Sequence, residues 1–177
     1  MTKDLEIIEL GDPLLRQKAK AVENIFDSEI QNLIDQMLIS VEKAHGVGLA
    51  APQVGVPLQI FIVSPSPTQR YPNTTVEETL VVINPSITQL SNKKDLDWEG
   101  CLSIPGLRGK VSRHKSINVN YTNRLGETHS ADYHDFVARI FQHEYDHLQG
   151  TLFLDRMDSL DSLVTEKYYI DSLEEEE

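Results

Sequence analysis

Residues 143–147 read His-Glu-Tyr-Asp-His, inside a stretch from about His134 to Gln149 whose apolar residues recur at helical spacing. A helix here should end at Gly150, because glycine favours the left-handed conformation found after helix C-termini. Side chains four positions apart lie within about 40° of each other around a helix axis, so His143 and His147 can reach one cation. The segment therefore predicts a metal-binding helix around which the rest of the fold packs.

Glu144 projects about 100° away from the two histidines, so it is poorly placed as a third ligand on the same line. It is well placed to hydrogen-bond a water molecule at the metal and to act as a general base. The alternative is an amphipathic helix with a solvated Glu144 and two coincidentally spaced histidines. The helix face Phe136, Ile140, His143 and His147 disfavours it, because a neutral imidazole facing the core needs a partner.

A catalytic metal site usually has three protein ligands and one open position, so a third ligand is needed. One class of metalloprotease would supply a further histidine, but Phe153 occupies that position. Another class would use Glu166, which stands beside Lys167 in ordinary exposed-charge patterning. Cys101 is the strong candidate, because a thiolate is a soft, high-affinity ligand and Gly100 lets the backbone approach closely. A lone cysteine can also be a small buried apolar residue.

Composition limits the class of protein. The chain has 177 residues and 20.1 kDa, which fits one globular domain, and its single cysteine excludes an intramolecular disulfide. With 16 Lys and Arg against 28 Asp and Glu, the formal charge of −12 opposes binding to nucleic acid or anionic lipid. The sequence has no stretch of about 20 apolar residues and no secretory or transit signal, so we expect a soluble, cytoplasmic protein.

Periodicity and turn residues predict the other elements. A short helix begins at Asp12-Pro13, a longer helix follows, and strands then alternate with turns. The predicted elements are a helix over 28–43, a constrained loop over 46–53, strands over 58–63, 79–83 and 116–121, a hairpin turn over 123–126 leading into a strand over 127–133, and a last helix over about 158–169. We therefore expect an α+β fold that is a single domain over residues 1–177, with antiparallel strands packed around the metal-binding helix carrying the HExxH motif. Residues 170–177 are expected to be an acidic, frayed tail.

Three separate segments resemble the signature motifs of peptide deformylases, in the order the family has them. They are Gly-Val-Gly-Leu-Ala-Ala-Pro-Gln at 46–53, Glu-Gly-Cys-Leu-Ser at 99–103, and Gln-His-Glu-Tyr-Asp-His at 142–147. The match runs from about Asp12 to Asp155, which is nearly the whole chain. Agreement of three motifs is much more specific than the histidine helix alone.

This resemblance implies one divalent metal ion bound by Cys101, His143 and His147. In the family the metal is usually ferrous iron in the cell, and often zinc, nickel or cobalt in purified material. The implied reaction removes the formyl group from the N-terminal methionine of newly made polypeptides and releases formate.

The resemblance also implies the roles of three other residues. Glu144 would be the general base and acid, while the Gln53 side-chain amide and the Leu102 backbone N–H would donate to the developing oxyanion. An amide suits this task, because it donates without carrying a charge of its own. The alternative for Gln53 is a loop residue that caps nearby backbone.

Contacts with the substrate are expected from small and apolar residues of the same motifs. Gly46 and Gly48 would let an extended peptide lie against the loop and add main-chain hydrogen bonds, and the alternative is an ordinary tight turn. The residues expected around the methionine side chain are Val47, Gly48, Gly100 and Ile140, with Phe136 as a further candidate.

Two acidic residues and one arginine complete the expected surroundings. Asp146 and Glu99 would accept hydrogen bonds from a ligand histidine or from Arg113, unless they are surface charges. Arg139 stands one turn before His143 on the ligand face, where many family members carry an apolar residue. In this respect the chain resembles the organellar-like branch, as it also does at 105–106.

Two other functions remain as alternatives: a zinc endopeptidase using His143, His147 and Glu166, and a metal-stabilised binding domain without activity. The presence of Glu144 and Gln53 counts against the binding domain, since structural ligation needs neither. The expected partners are N-formylmethionyl peptide ends of nascent proteins, with no direct nucleic-acid binding and no membrane. Stable docking on ribosomes is not expected, because residues 169–177 contain acidic residues and no Lys or Arg.

Overall fold

The computed structural model describes residues 5–175 and contains three α-helices and eight strands in that range. The helices are α1 (Ser28–Lys43), α2 (Asp135–Leu148) and α3 (Glu166–Glu175). The strands are β1 (Gly48–Ala50), β2 (Ile60–Val63), β3 (Leu80–Leu90), β4 (Lys94–Cys101), β5 (Ile104–His114), β6 (Ser116–Thr122), β7 (Thr128–His134) and β8 (Val164–Thr165).

The strands form two sheets in which every pairing is antiparallel. A five-stranded sheet has the order β1-β2-β3-β6-β7, and a three-stranded sheet has the order β4-β5-β8. In this arrangement β1 is an edge strand of the larger sheet. One face of the domain thus presents an open strand edge close to the motif at 46–53.

Strand β2 lies between two hydrophobic clusters and explains how the helices are placed. Its four residues, Ile-Phe-Ile-Val, are all fully buried, as expected for a continuous apolar run. Phe61 and Val63 pack in the cluster that includes Phe141 of α2. Ile60 and Ile62 pack in the other cluster, which contains the buried face of α1. Because side chains alternate along a strand, this one strand separates α1 from α2.

Helix α2 is buried on nearly every side and carries the polar residues of the site into the interior. Its buried apolar residues include Phe141 and Leu148, and Phe141 makes an edge-to-face contact with Phe61 at 4.9 Å between ring centroids. Its buried polar residues are Arg139, Gln142, His143, Glu144, Asp146 and His147. A buried polar group must find a partner, so the neighbouring strands have to supply matching charges.

The structure confirms several of the predicted elements. Helix α1 has the predicted bounds, Asp12 caps the 3-10 helix Pro13–Arg16, and α2 ends before Gly150, which has a φ of 71°. The hairpin from β6 to β7 turns at the predicted residues, with Gly126 N–H donating to Asn123 O at 3.0 Å. An α+β domain with antiparallel strands is therefore confirmed.

Other predictions were wrong or incomplete. The predicted loop at 46–53 contains strand β1 and most of the 3-10 helix Ala51–Val54. The strand expected at 79–83 continues to Leu90 through two register irregularities. Strands β4 and β5 were missed, because their charged residues hide the apolar alternation.

The carboxyl-terminal prediction also needs correction. Residues 158–165 form a 3-10 helix and β8 rather than a helical stretch, because Val164 and Thr165 pair with Arg108 and Leu107 of β5. Helix α3 continues to Glu175, so residues 170–175 of the expected acidic tail belong to a helix. Tyr169 packs against Trp98 at 5.3 Å, which holds this helix on the small sheet. Residues 176–177 lie outside the described range.

We predict that Gly150→Ala is strongly destabilising. A Cβ at this position would lie 2.4 Å from the backbone oxygen of Arg16, in addition to the strain of a positive φ. The expected loss in the free energy of unfolding is about 2–5 kcal/mol, measured by urea denaturation. Gly55→Ala is the matched control, since Gly55 has a φ of 80° and no neighbouring atom within 4 Å. For Gly55→Ala, only the conformational cost of about 1–2 kcal/mol should remain. Equal losses in the free energy of unfolding for the two variants would contradict the steric explanation.

Candidate active site and metal centre

Three potential metal ligands from two elements, α2 and β4, lie close together. Helix α2 supplies His143 and His147, and β4 ends at Cys101. Their donor atoms all lie within 4.8 Å of one another, and Cys101 Sγ lies 3.3 Å from His147 Nε2. Donors bound tetrahedrally to one ion at 2.0–2.3 Å would be about 3.3–3.8 Å apart. The three residues therefore fit a single transition-metal ion after only small movements.

Glu99 fixes the orientation of the first of these histidines. His143 Nδ1 donates to Glu99 Oε2 at 2.9 Å, which leaves Nε2 of the ring for a ligand. Arg113 donates to both oxygens of Glu99, at 2.9 and 3.0 Å. Although burial opposes ionisation, Arg113 and His143 hold the pKa of Glu99 below its usual range. Glu99 is thus a permanent carboxylate that orients His143, as predicted.

The second predicted supporting carboxylate, Asp146, lies on the same guanidinium. Arg113 Nη1 donates to Asp146 Oδ2 at 2.6 Å, and Arg156 Nη2 donates to Asp146 Oδ1 at 2.7 Å. Arg113 therefore joins β4, β5 and α2 through two charged contacts. The predicted role of Asp146 as a partner of Arg113 is confirmed.

The imidazole of His147 is neutral, as an imidazole that binds a metal must be. Its ring is 1% exposed, and burial holds the pKa of His147 well below its usual value, so the imidazole is neutral. Its Nδ1 is buried and has no hydrogen-bond partner within residues 5–175. One neutral imidazole, a second oriented by a carboxylate, and a thiol form a donor set suited to a divalent transition metal.

Glu144 lies beside the ligands in an unusually confined position. Its Oε2 is buried and makes no hydrogen bond to the described residues, and burial raises the pKa of Glu144 to about 7. A Cβ at Gly48 would lie 2.3 Å from Glu144 Oε1, so glycine is required there for the carboxylate to fit. Gly48 thus makes room for Glu144, a constraint that the sequence did not reveal.

Gln53 is held with its amide nitrogen facing the ligand cluster. Ala50 N–H donates to Gln53 Oε1 at 2.8 Å, which determines which end of the amide is the oxygen. Gln53 Nε2 donates to Ser103 Oγ at 3.2 Å and lies 3.4 Å from Cys101 Sγ. The backbone-capping alternative for Gln53 is therefore also correct, and it is the capping contact that orients the amide nitrogen.

A cavity of about 120 Å³ opens beside the cluster. All the residues expected to contact substrate line it, together with most of the predicted catalytic and ligand residues. Those lining residues are Val47, Gly48, Gln53, Gly100, Cys101, Leu102, Phe136, Ile140, His143 and Glu144. The structure thus brings together residues from all three sequence motifs.

Arg139 also borders this cavity, but its guanidinium is used inside the protein. Its Nη1 donates to Glu99 Oε1 at 3.0 Å and to Val111 O at 2.8 Å, and its Nη2 donates to Asp95 O at 2.8 Å. Arg139 therefore ties α2 to strands β4 and β5 of the small sheet.

Sequence reasoning missed one wall of the cavity, which is formed by Arg70, Tyr71, Arg108 and Glu166. These residues belong to none of the three motifs and come from three separate parts of the chain, at 70–71, 108 and 166. Glu166, considered as a third ligand, instead accepts from Arg70 and Arg108. It is not part of any candidate metal cluster in the described region, so the endopeptidase alternative has no third ligand.

The ligand cluster and its neighbouring carboxylate indicate a metal-dependent hydrolase, the class of enzyme that uses such an arrangement to activate water. Comparison with known proteins identifies the family. The model of the polypeptide deformylase family matches residues 4–162. The chain therefore belongs to the polypeptide deformylase family, whose enzymes remove the N-formyl group from newly made polypeptides.

Individual relatives agree with this assignment over most of the chain. Peptide deformylase 2 of a Nostoc species is 52% identical over 165 residues, which cover 93% of this chain and 92% of that protein. Peptide deformylase 2 of Shewanella oneidensis is 44% identical over 154 residues, covering 87% and 84%. The Met-Ala-Ser-bound crystal structure of class I type b peptide deformylase from Acinetobacter baumannii has a TM-score of 0.86 and 36% identity, covering 89% of this chain and 100% of that chain. The predicted family and enzyme class are confirmed.

No helix in the described part of the chain has the length and apolar character needed to cross a membrane.

We predict that Cys101→Ala loses the metal and that Glu166→Gln retains it. Removing the thiolate leaves only two histidine donors, whereas Glu166 is occupied by arginines. Metal content of the purified variants, measured by elemental analysis, should be about one ion per chain for Glu166→Gln and a small fraction of that for Cys101→Ala. Retention in Cys101→Ala together with loss in Glu166→Gln would reverse the assignment.

Proposed function

We propose that this chain deformylates N-terminal formylmethionine with a divalent ion held by Cys101, His143 and His147. Ferrous iron is the proposed native metal, with zinc, nickel or cobalt as substitutes, because a thiolate and two imidazoles accept all four. When bound, the ion would supply the Lewis acidity that activates water and polarises the formyl carbonyl. The observation that carries the proposal is the buried Oε2 of Glu144, which has no hydrogen-bond partner among residues 5–175 and lines the same cavity as Cys101 and His143.

Glu144 would move the proton that the reaction requires. Its Oε2 takes a proton from the attacking water and transfers it to the amine as the formyl C–N bond breaks, so formate and a free amino terminus are released. Burial favours both proton transfers. Because it raises the pKa of Glu144 to about 7, the protonated and ionised forms of this carboxyl are similar in free energy at neutral pH. The close approach to Gly48 would keep the carboxylate in place during both transfers.

Gln53 and Leu102 would stabilise the negative charge that develops on the formyl oxygen. Gln53 Nε2 already faces the site because Ala50 N–H holds the amide oxygen. Leu102 follows Cys101 at the tight turn between β4 and β5, so its backbone N–H is the second proposed donor. Fixed donors cost little reorganisation and are most effective as charge appears.

The peptide would bind along β1 as an added strand. Ser64 N–H donates to Val47 O at 2.8 Å, so Val47 uses its peptide groups towards β2. In an antiparallel ladder the next residue points the other way, which leaves the N–H and C=O of Gly48 at the open edge. Main-chain pairing there would align the substrate, with the methionine side chain directed among Val47, Gly100 and Ile140.

The proposed partners are the formylmethionyl ends of nascent chains. The protein would act on them in the cytoplasm and would not bind nucleic acid directly. The net charge of −12 and the acidic carboxyl-terminal residues support the absence of stable ribosome docking. Within α3, Lys167 is paired with Asp171 at 2.5 Å, so it adds little to any attraction for RNA.

We predict that Glu144→Gln keeps the metal but loses at least about 100-fold in kcat, because an amide can fill the space but cannot transfer a proton. Formate release from a formyl-Met peptide would be measured on protein with the metal content of the unaltered chain. Turnover within a few fold of the original enzyme would show that Glu144 is not the base.

Gln53→Ala is expected to lower kcat by about 10–1,000-fold with a smaller change in KM, because its donation strengthens as the oxyanion forms. Steady-state kinetics on the same peptide would separate the two constants. Metal content and melting temperature serve as controls, since the substitution also removes the cap on Ala50 N–H. A change in KM alone would contradict the oxyanion role.

A further inference from the structure

One wall of the cavity contains two positive charges and one negative charge that have no part in the proposed chemistry. Arg70 Nε lies 2.8 Å from Glu166 Oε1, and Arg108 Nη2 lies 3.2 Å from the same oxygen. We call these three residues the rim cluster. Two guanidinium groups share one carboxylate, so the cluster carries a net positive charge within a protein whose formal charge is −12.

Arg108 is held rigidly against the substrate side of the site. Its Nη1 donates to Tyr71 Oη at 2.7 Å, and its guanidinium lies 4.9 Å from the centre of the Tyr71 ring. A Cβ at Gly100 would lie 2.7 Å from Arg108 Cζ, so the guanidinium packs directly on the residue before Cys101. Arg108 is only 3% exposed, and its Nε has no hydrogen-bond partner in the described region. A buried cation attracts an anionic ligand strongly, because little water screens its charge.

The other members of the rim cluster are accessible. The side chains of Arg70 and Glu166 are 29% and 27% exposed, and both border the cavity. Tyr169 Oη donates to Arg70 O at 3.0 Å, and the Tyr71 ring packs on Phe136 at 5.0 Å. Helix α3 and α2 therefore fix the segment that carries Arg70, and a ligand would meet a preformed cluster.

The remaining charges of the cavity are already balanced or committed. Glu99 pairs with Arg113 and Arg139, which also meet Asp146 and Asp95, and Glu144 belongs to the proposed proton transfer. The rim cluster is thus the part of the cavity with uncompensated charge. Its sign matches a carboxylate on the substrate.

The geometry of an extended peptide determines which substrate residue meets this cluster. Side chains alternate along a strand, so the first and third residues share a face and are separated by about 7 Å. If the first residue directs methionine into the cavity, the third directs its side chain to the same side. The second side chain points away.

We propose that the rim cluster determines specificity by favouring formyl-Met peptides with Asp or Glu at the third position. This inference rests on the proposed function, since it assumes the same cavity and the same extended peptide. The expected preference is modest, because two members of the cluster are partly exposed and salt screens them.

The test compares kcat/KM for formyl-Met-Ala-X peptides with amidated carboxyl termini, where X is Glu, Gln or Lys. We expect Glu to exceed Gln by about 3–10-fold and Lys to be the poorest substrate, with the differences decreasing at high salt. Moving Glu to the second position should reduce the preference. Equal values for all three peptides, or a preference confined to the second position, would overturn the proposal.

Three variants separate a charge effect from a structural one. Arg70→Gln should remove most of the preference for Glu over Gln. Glu166→Gln should increase it, because the variant removes the one compensating carboxylate yet keeps an oxygen that can accept from both arginines. A purely structural role predicts the same loss for every peptide. Arg124→Gln is the matched control for loss of a positive charge, since Arg124 pairs with Asp35 outside the cavity.

A binding measurement distinguishes failure of this inference from failure of the proposed function. The affinities of the deformylated peptides Met-Ala-Glu amide and Met-Ala-Gln amide can be compared by calorimetry without any turnover. Tighter binding of the Glu peptide supports the proposed specificity of the rim cluster. The difference in affinity should persist in Arg124→Gln, and it does not depend on whether the protein is active. Equal affinities in the unaltered enzyme refute it even if deformylation is fully active.

Discussion

Arg113 is the residue on which the site depends. Its guanidinium lies in the interior between Glu99 and Asp146, so a strand of the small sheet is joined to the strand that ends at Cys101 and to the histidine helix. Removing one partner of a buried charge cluster is costly, because it leaves an uncompensated charge away from water. This penalty keeps Glu99 in place, and Glu99, the carboxylate that neutralises Arg113, also orients His143. Fold and ligand geometry are therefore maintained by one set of contacts.

The elements that could be predicted from sequence are those whose apolar residues follow a single period. Helix α1 has one buried stripe and was predicted with its observed bounds, and β2 is a short apolar run. The strands of the small sheet were missed for the opposite reason. Strand β5 carries Arg108 and Arg113 at buried positions, so charge appears where the alternation would require apolar residues. Tertiary ion pairs make those positions tolerable, and they cannot be recognised in a local window.

The site shows the same division. Three motifs identified the ligand cluster, Glu144 and Gln53, because each segment has a recognisable local spacing. The reason for Gly48 was different from the expected one, since its missing side chain makes room for a carboxylate from another element. The cavity wall around Arg108 was not predicted at all. Its members come from a turn, a strand and a helix, and only the folded chain places them together.

The distance between the ligands along the chain determines when the metal centre can form during synthesis. Cys101 and His147 are separated by 46 residues, and the helix that carries the histidines follows every strand of the large sheet. Until that helix has been made, Phe61 and Val63 have no cover on one face of β2. Both histidines are therefore available only after most of the chain has been made, and an ion bound by them and Cys101 would then add free energy to the packing of α2. The cavity itself is completed still later in synthesis, because Glu166 of its wall follows the histidine helix in the chain.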